Sequence, residues 1–491
     1  MFRNFLKAAV ACLFTATLAA PATTAQSRQQ TPPATQAQPA AQQAPPSTDI
    51  THITDEALVW LQDLVRINTT NPPGNELVAA KYIGTVLQKE NIPFEILEST
   101  PGRGFLVARL NAGPFPDPSR ALILMAHLDV VGVDTSKWTV DPFAGVIKDN
   151  YIYGRGVIDD KGMLAANLAV FIMLKRTNAH LNRDVILLAE GDEEAGGNDG
   201  MIFAVQKHWD KIAAAYAINE EGRVIVSNGK VQYVGIQAGE KVPVNVNVIA
   251  TGTSGHGSIP RPDNAVVHLS AAVEKIGGYE APIQLNTITR AYFEGLAKIE
   301  DDETSKWMRA LETTDRQEHA ARILSQSPIW NSMMRDTIAP TMLQAGIRAN
   351  VVPSMARATL NIRLLPGNLL EPLLGKLTQL VSDPQVRFEP QTSIGQPAPS
   401  SPVDSDLFKE IELTAAKEFP GVTVIPMMST GATDSQQLRL RSVKAYGLLP
   451  FPLPEAEVMR MHADDERLPI DSFRKGVLFL DHIVLGFAVS Q

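Results

Sequence analysis

Asp184–Gly197 reads DVILLAEGDEEAGG. Its first half is an unbroken apolar run, and its second half is an acidic turn punctuated by glycine. Alternation of apolar and polar residues would mark a strand wetted on one face. An unbroken run instead predicts a strand buried on both faces, as in parallel sheets covered by helices. Such a strand delivers Asp192, Glu193 and Glu194 to the carboxyl edge of the sheet, where sites collect in α/β folds. Three adjacent carboxylates repel one another and need compensation by solvent, basic groups or a bound cation.

Working outward, ALILMA (Ala121–Ala126) and AAAYAIN (Ala213–Asn219) read as further buried strands, and MLAANLAVFIMLKR (Met163–Arg176) as a helix between them. The order predicts an α/β domain with a mainly parallel sheet flanked by helices, beginning near Asp49 with a helix around Asp55–Val65. Near Lys241 the texture changes. VPVNVNVIA (Val242–Ala250) alternates with period two, NAVVHLSAAVEKI (Asn264–Ile276) is helical, and TMLQAGIRANVVP and ARATLNIRLLPG read as paired strands before a helix over Leu369–Val381. This β-α-β-β-α-β order predicts an inserted α+β, ferredoxin-like lid. A charged stretch, about Tyr279–Ile338, carries Phe293, Leu296, Trp307, Met308 and Leu311 near helical spacing and reads as a helical insertion. LFKEIELTAAKEF (Leu407–Phe419) begins the return. The expected domains are therefore 49–240 and 396–491 for the catalytic part, with 241–395 as the lid.

The first residues carry Arg3 and Lys7, an apolar core and then small residues, the pattern of a secretory signal peptide over 1–25, cleaved after Ala22 or Ala25. Residues 26–48, rich in Pro, Gln and Ala, read as a disordered tether. Export across the inner membrane to the periplasm is expected, without stable membrane insertion after cleavage. The single cysteine, Cys12, lies in the leader, so the mature chain offers no disulfide, thiolate ligand or cysteine nucleophile. Any metal must be held by imidazole and carboxylate, which selects hard or borderline divalent ions. The formal net charge of −9, with no basic run, gives no support to nucleic-acid binding.

Chemistry-bearing residues follow the strand ends. AHLDVV sets His127 and Asp129 on one face of an extended segment. YGRGVIDDKG (Tyr153–Gly162) offers Asp159 and Asp160 ahead of a helix, Asp160 as a candidate cap, and lacks the third glycine of a dinucleotide fingerprint. Glu193 and Glu194 come next, then Glu220 and Glu221 in AINEEGR, and much later His462 in MHADDERLP. Singly, each reads as ordinary surface charge. Together they supply two imidazoles and several carboxylates, the donor set for two divalent ions roughly 3.5–4 Å apart with a bridging carboxylate.

In that order, H-x-D, G-R-G-x-x-D-D-K-G, D-E-E-x-G-G, N-E and a late histidine, the motifs resemble the dinuclear-zinc aminoacylase/carboxypeptidase family, which includes glutamate carboxypeptidase, aminoacylase, carnosinase and succinyl-diaminopimelate desuccinylase. The resemblance covers the chain from about Asp49. It implies a zinc-exopeptidase-like catalytic domain and two divalent ions, zinc by expectation, with cobalt or manganese fitting the same ligands. By resemblance His127 and Glu220 bind one ion, Glu194 and His462 the other, and Asp159 bridges them through a segment whose peptide bond to Asp160 is often cis. Glu221 stays open as an alternative to Glu220. Asp129 would orient the His127 ring, and Glu193 would act as general base, leaving Asp192 without a catalytic role. His256, in TSGHGSIP, would stabilise the oxyanion, in dimeric relatives from the neighbouring subunit. Asn350 in ANVVP and Arg363 in NIRLLPG would grip a free substrate carboxylate, and Gly431 in STGATDS would line the pocket.

The implied activity is metal-dependent hydrolysis of the amide bond of an N-acyl amino acid or small peptide with a free carboxylate. The long insertion looks like the carboxypeptidase S-like branch and leaves the lid-to-lid homodimer open. Two rival readings stand beside it: a dinuclear-zinc aminopeptidase, and a non-catalytic periplasmic binding protein on the same scaffold.

Overall fold

The computed structural model describes residues 49–391 and 397–490; the expected leader and tether fall outside them. The first helix spans Ile50–Arg66, five residues longer at its start than the apolar pattern suggests. Asp49 accepts the Thr51 N–H at 2.9 Å and so caps it. No helix among the described residues is long and apolar enough to cross a membrane.

The expected α/β architecture is present. A ten-stranded sheet has at its heart Val185–Glu190, Leu122–His127 and Tyr216–Asn219, in that spatial order and mutually parallel. The flanking pairs with Arg103–Leu110 and Phe94–Thr100 are antiparallel. Alternate side chains of the central strands enter two different cores. Leu122, Leu124, Val185 and Leu187 pack on the side of the helices Ile50–Arg66, Lys161–Arg176 and Ile470–Ala488. Ile123, Met125, Ile186 and Leu188 pack on the side of Met201 and Ala204. Burial on both faces is why these segments show no alternation. The helix Lys161–Arg176 is buried all round from Lys161 to Leu174, and so lacks a polar stripe.

The lid is a four-stranded antiparallel sheet in the order Thr337–Ala345, Met355–Leu364, Val242–Thr251, Val386–Pro390. Helices Ala265–Gly277 and Leu370–Val381 cover one face, where Val242, Val244, Val246 and Val248 are buried. Pro243, Asn245 and Asn247 occupy the opposite, half-exposed face. Four helices fill the insertion: Thr287–Leu296, Asp302–Ala310, Gln317–Leu324 and Pro328–Met334. The insertion interrupts the lid in sequence, yet Ile288, Phe293, Leu296 and Met308 share the large core with Ile425 and Met427 of the catalytic sheet. At Gly295 a Cβ would stand 3.0 Å from Ile425, so glycine is what lets helix and strand approach.

Lys241 marks the hand-over from the sheet strand Lys230–Glu240 to the lid strand Val242–Thr251. Its backbone N–H donates to Ser429 O at 3.0 Å. Its buried Nζ donates to Ser332 O (3.0 Å), Arg335 O (2.9 Å) and Thr337 Oγ1 (3.1 Å). One amine therefore knots two of the chain crossings between catalytic domain and lid.

Candidate metal centre and active site

His127 ends its strand buried, its ring fixed from both sides. Nδ1 lies 2.9 Å from the backbone carbonyl of Asp129, while Nε2 faces Asp159 Oδ1 at 2.8 Å and Glu220 Oε2 at 3.7 Å. A carbonyl on Nδ1 holds the proton there and leaves the Nε2 lone pair for a cation. The Asp129 carboxylate stands farther from the ring, Oδ1 at 3.5 Å from Nδ1. Its closer partners are the backbone N–H groups of Glu193 and Glu194, each at 3.2 Å, and Asn71 Nδ2 at 2.8 Å. Asp129 thus orients the His127 ring mainly through its main chain and holds the Glu193–Glu194 turn through its side chain.

Across the site, exposed His462 brings Nε2 to 3.1 Å from Glu194 Oε1 and 3.0 Å from Asp159 Oδ2. Asp159 therefore offers one oxygen to each histidine. The Asp159–Asp160 peptide bond is cis. Asp160 stands at the N-cap position of the following helix, but its side chain makes no cap bond, and neither carboxyl oxygen has a hydrogen-bond partner among the described residues. Of the two candidate glutamates after the third strand, buried Glu220 faces His127. Glu221 turns away, its Oε1 accepting from Ser429 Oγ at 2.8 Å. Ser429 Oγ in turn accepts the Gly431 N–H at 2.9 Å, which sets the glycine loop.

The donor set fits a cation. One oxygen or nitrogen from each of His127, Glu193 and Glu220 lies within 4.8 Å of the others, and the same holds for His127, Asp159 and Glu194. Among the described residues the ion-pair partners of Asp159, Glu194 and Glu220 are histidines, with no lysine or arginine. Burial, reinforced by the negative charges of Asp159 and Glu221 and partly offset by His127, pushes the Glu220 carboxyl up to about 8. Burial and the Glu220 charge push Glu193 well above its ordinary value. Hydrogen bonds to Asp159 and Glu194 lift His462 to about 10. The protein alone compensates its buried negative charge with protons, a demand that divalent ions meet instead.

Several supporting residues carry no motif of their own. Glu466, fully buried, accepts from Arg155 Nη1 (2.7 Å) and from the N–H groups of Ile158 (2.8 Å), Gly156 (3.2 Å) and Asp159 (3.3 Å). Arg155 Nη2 also donates to His462 O at 3.2 Å, linking the segment that bears Asp159 to the one that bears His462. Asp192 accepts from Asn71 Nδ2 and the Asp199 N–H, each at 2.9 Å, and from Arg103, which also forms a two-pronged pair with Glu76. Asp192 is therefore the tie that shapes the acidic turn. The turn is tight: a Cβ at Gly200 would stand 1.4 Å from Gly191 O. The sequence signals were faint, only the proximity of Glu466 to His462 and of Arg155 to Asp159.

The lid residues divide into two groups. Arg363 pairs with Pro243 at the hinge end of the lid sheet, its Nε donating to Asn361 Oδ1 at 3.1 Å. His256 and Asn350 meet at the opposite end, where Gly257 N–H donates to Asn350 O at 2.8 Å, and both are exposed. Between Arg363 and Met355, the partner of Thr251, run eight residues of strand, or roughly 26 Å at the usual rise. One chain does not bring His256 or Asn350 to Arg363.

A sheet with two imidazoles and a bridging carboxylate at its carboxyl edge, under an inserted lid, defines a metal-dependent hydrolase. The chain belongs to Peptidase family M20/M25/M40, whose model matches residues 123–486. It is 31% identical over 377 residues to "Probable carboxypeptidase S-like 2" of Dictyostelium discoideum, covering 74% of this chain and 71% of that one. It is 27% identical over 388 residues to the human "N-fatty-acyl-amino acid synthase/hydrolase PM20D1", covering 76% of each. In fold it is similar to the M20 family metallo-carboxypeptidase Sso-CP2 from Sulfolobus solfataricus, with a TM-score of 0.64 at 21% identity, covering 88% of this chain and 99% of that one.

Proposed function

We propose that this hydrolase cleaves the amide bond of N-acyl amino acids or small peptides that carry a free carboxylate. The observation that carries the reading is Glu193: a half-buried carboxylate with no lysine or arginine partner among the described residues, beside a cation-ready donor set. His127 and Glu220 would hold one divalent ion and Glu194 and His462 the other, with Asp159 between them. Zinc is the first expectation, and cobalt or manganese suits the same nitrogen and oxygen donors. When bound, such ions polarise a scissile carbonyl and lower the pKa of a water towards about 7. The chain's own part is proton traffic and positioning. Glu193 would take the proton of the attacking water and return it to the leaving nitrogen. Arg363 would hold the free carboxylate by a two-pronged contact. His256 and Asn350 would act on the site of a second copy, because their own Arg363 is too distant. Export to the periplasm is part of the proposal and rests on the N-terminal sequence.

Glu193→Gln tests the reading. The variant should keep the native metal content yet lose about 10³-fold or more in kcat, the range for a missing general base. A near-native rate would refute the assignment. Comparing peptides blocked at either end separates this reading from an aminopeptidase, which requires the free amino end.

A further inference from the structure

A cavity of about 750 Å³ leads away from Glu193. One wall is the helix Met201–Lys207, with Ile202, Val205 and Gln206; the other is the segment from Ala432 to Arg441. Pro243 and Asn245 of the lid strand also line it. Its size is that of a pocket for a small organic ligand. Its lining is mixed: aliphatic Ile202, Val205 and Leu440 alternate with five carboxamide residues, Asn198, Gln206, Asn245, Gln436 and Gln437.

Two of the polar groups are specific. Gln436 is only 8% exposed, and its Nε2 has no hydrogen-bond partner among the described residues. A buried donor left unpaired is costly, and an acceptor on a bound molecule removes the cost. Arg441, exposed, carries the cavity's one positive charge. Its guanidinium lies over the Trp209 ring at 5.3 Å, and Nη2 donates to the Val205 carbonyl at 3.2 Å. Arg441 is thus held in place by neutral partners, and among the described residues it pairs with no carboxylate. The cavity combines a buried donor with a restrained cation, alongside the carboxyl groups of Glu193, the proposed base, and of buried Asp434. A fatty chain filling it would strip water from the carboxamides and replace none of their hydrogen bonds.

We infer that this cavity is the specificity pocket of the hydrolase, and that it selects a substrate group bearing hydrogen-bond acceptors and a negative charge rather than a long alkyl chain. Gln436 reads the acceptor and Arg441 the charge. The inference rests on the hydrolase reading above, and its test keeps the two separable.

The holoenzyme is assayed on two matched series. The first is N-acetyl-leucine, -glutamine and -glutamate; the second is acetyl-, hexanoyl-, palmitoyl- and glutaryl-leucine. The acidic member of one series should show the highest kcat/KM, by roughly tenfold over its alkyl counterpart, the scale of a charge-assisted contact. In Arg441→Gln that ratio should fall towards one; Arg441→Lys should retain most of it. Gln436→Leu should lower the ratio of N-acetyl-glutamine to N-acetyl-leucine turnover, or of glutaryl- to hexanoyl-leucine turnover. Because each ratio is read within one variant, a general loss of activity cancels. A preference for palmitoyl or hexanoyl substrates, or an acidic preference indifferent to Arg441, would overturn the pocket assignment alone. Absence of turnover on every member would overturn the hydrolase reading, and the pocket with it.

Discussion

Asp159 stands between His127 and His462, with Oδ1 2.8 Å from one Nε2 and Oδ2 3.0 Å from the other. A single carboxylate thereby connects a buried strand end to an exposed loop more than three hundred residues later. Removing one of its anionic oxygens should affect both halves. Asp159→Asn is expected to retain less than one metal ion per chain after dialysis and to lose about 10³-fold or more in activity. Elemental analysis decides it: two ions retained would show that Asp159 does not bridge.

Glu466 is the buried anion that gathers Arg155 and the backbone N–H groups leading to Asp159. Breaking a buried pair by removing one charge typically costs about 3–5 kcal/mol. Glu466→Gln should therefore lower the stability measured by denaturant unfolding by that order, and weaken metal retention. Unchanged unfolding would mean that Arg155 finds other compensation.

Lys241 sets a pH dependence. Burial, with a smaller contribution from the Arg363 charge and opposed by Asp336, lowers its pKa to about 7 in the folded chain. The unfolded lysine keeps its proton to about 10.4. Between those values unfolding takes up a proton, so this group makes stability rise with pH, by at most about 1.4 kcal/mol per unit. Below pH 7 the cost of burying its charge is fully present. In Lys241→Met that contribution should vanish, so the stability difference, wild type minus variant, should grow from pH 7 to pH 10. A difference independent of pH would contradict the assignment.

His256 and Glu193 test whether the site is shared between copies. If His256 serves a neighbouring subunit, mixing inactive Glu193→Gln chains with impaired His256→Ala chains creates intact sites. For random exchange in a two-fold dimer, about a quarter of sites should recover. A monomer by light scattering, or no recovery after confirmed subunit exchange, would rule this out.

Much of the fold was legible because its signals are local. The unbroken apolar runs at 122–126 and 185–189 could be read as strands buried on both faces, since that burial leaves no polar position before the strand's last residue. The valines of Val242–Thr251 alternate because one face of the lid sheet is wet. The acidic turn after Glu190 showed only a need for compensation, and it was the ordered set of histidines and carboxylates that pointed to a cation.

What the sequence by itself determined was the order of elements and the chemical inventory: the two site histidines, the acids after each strand, and a single cysteine, Cys12, far from them in sequence. Tertiary structure alone decided which of two adjacent glutamates faces His127, that Asp192 ties Asn71 and Arg103, and that Glu466 supports Asp159. It alone set His256 and Asn350 at the far end of the lid from Arg363, and carried the insertion's apolar face onto the catalytic sheet. The physical reason is the range of the interactions. Burial patterns repeat along the chain within a few residues, whereas a hydrogen bond or a packed face depends on partners that only folding brings near.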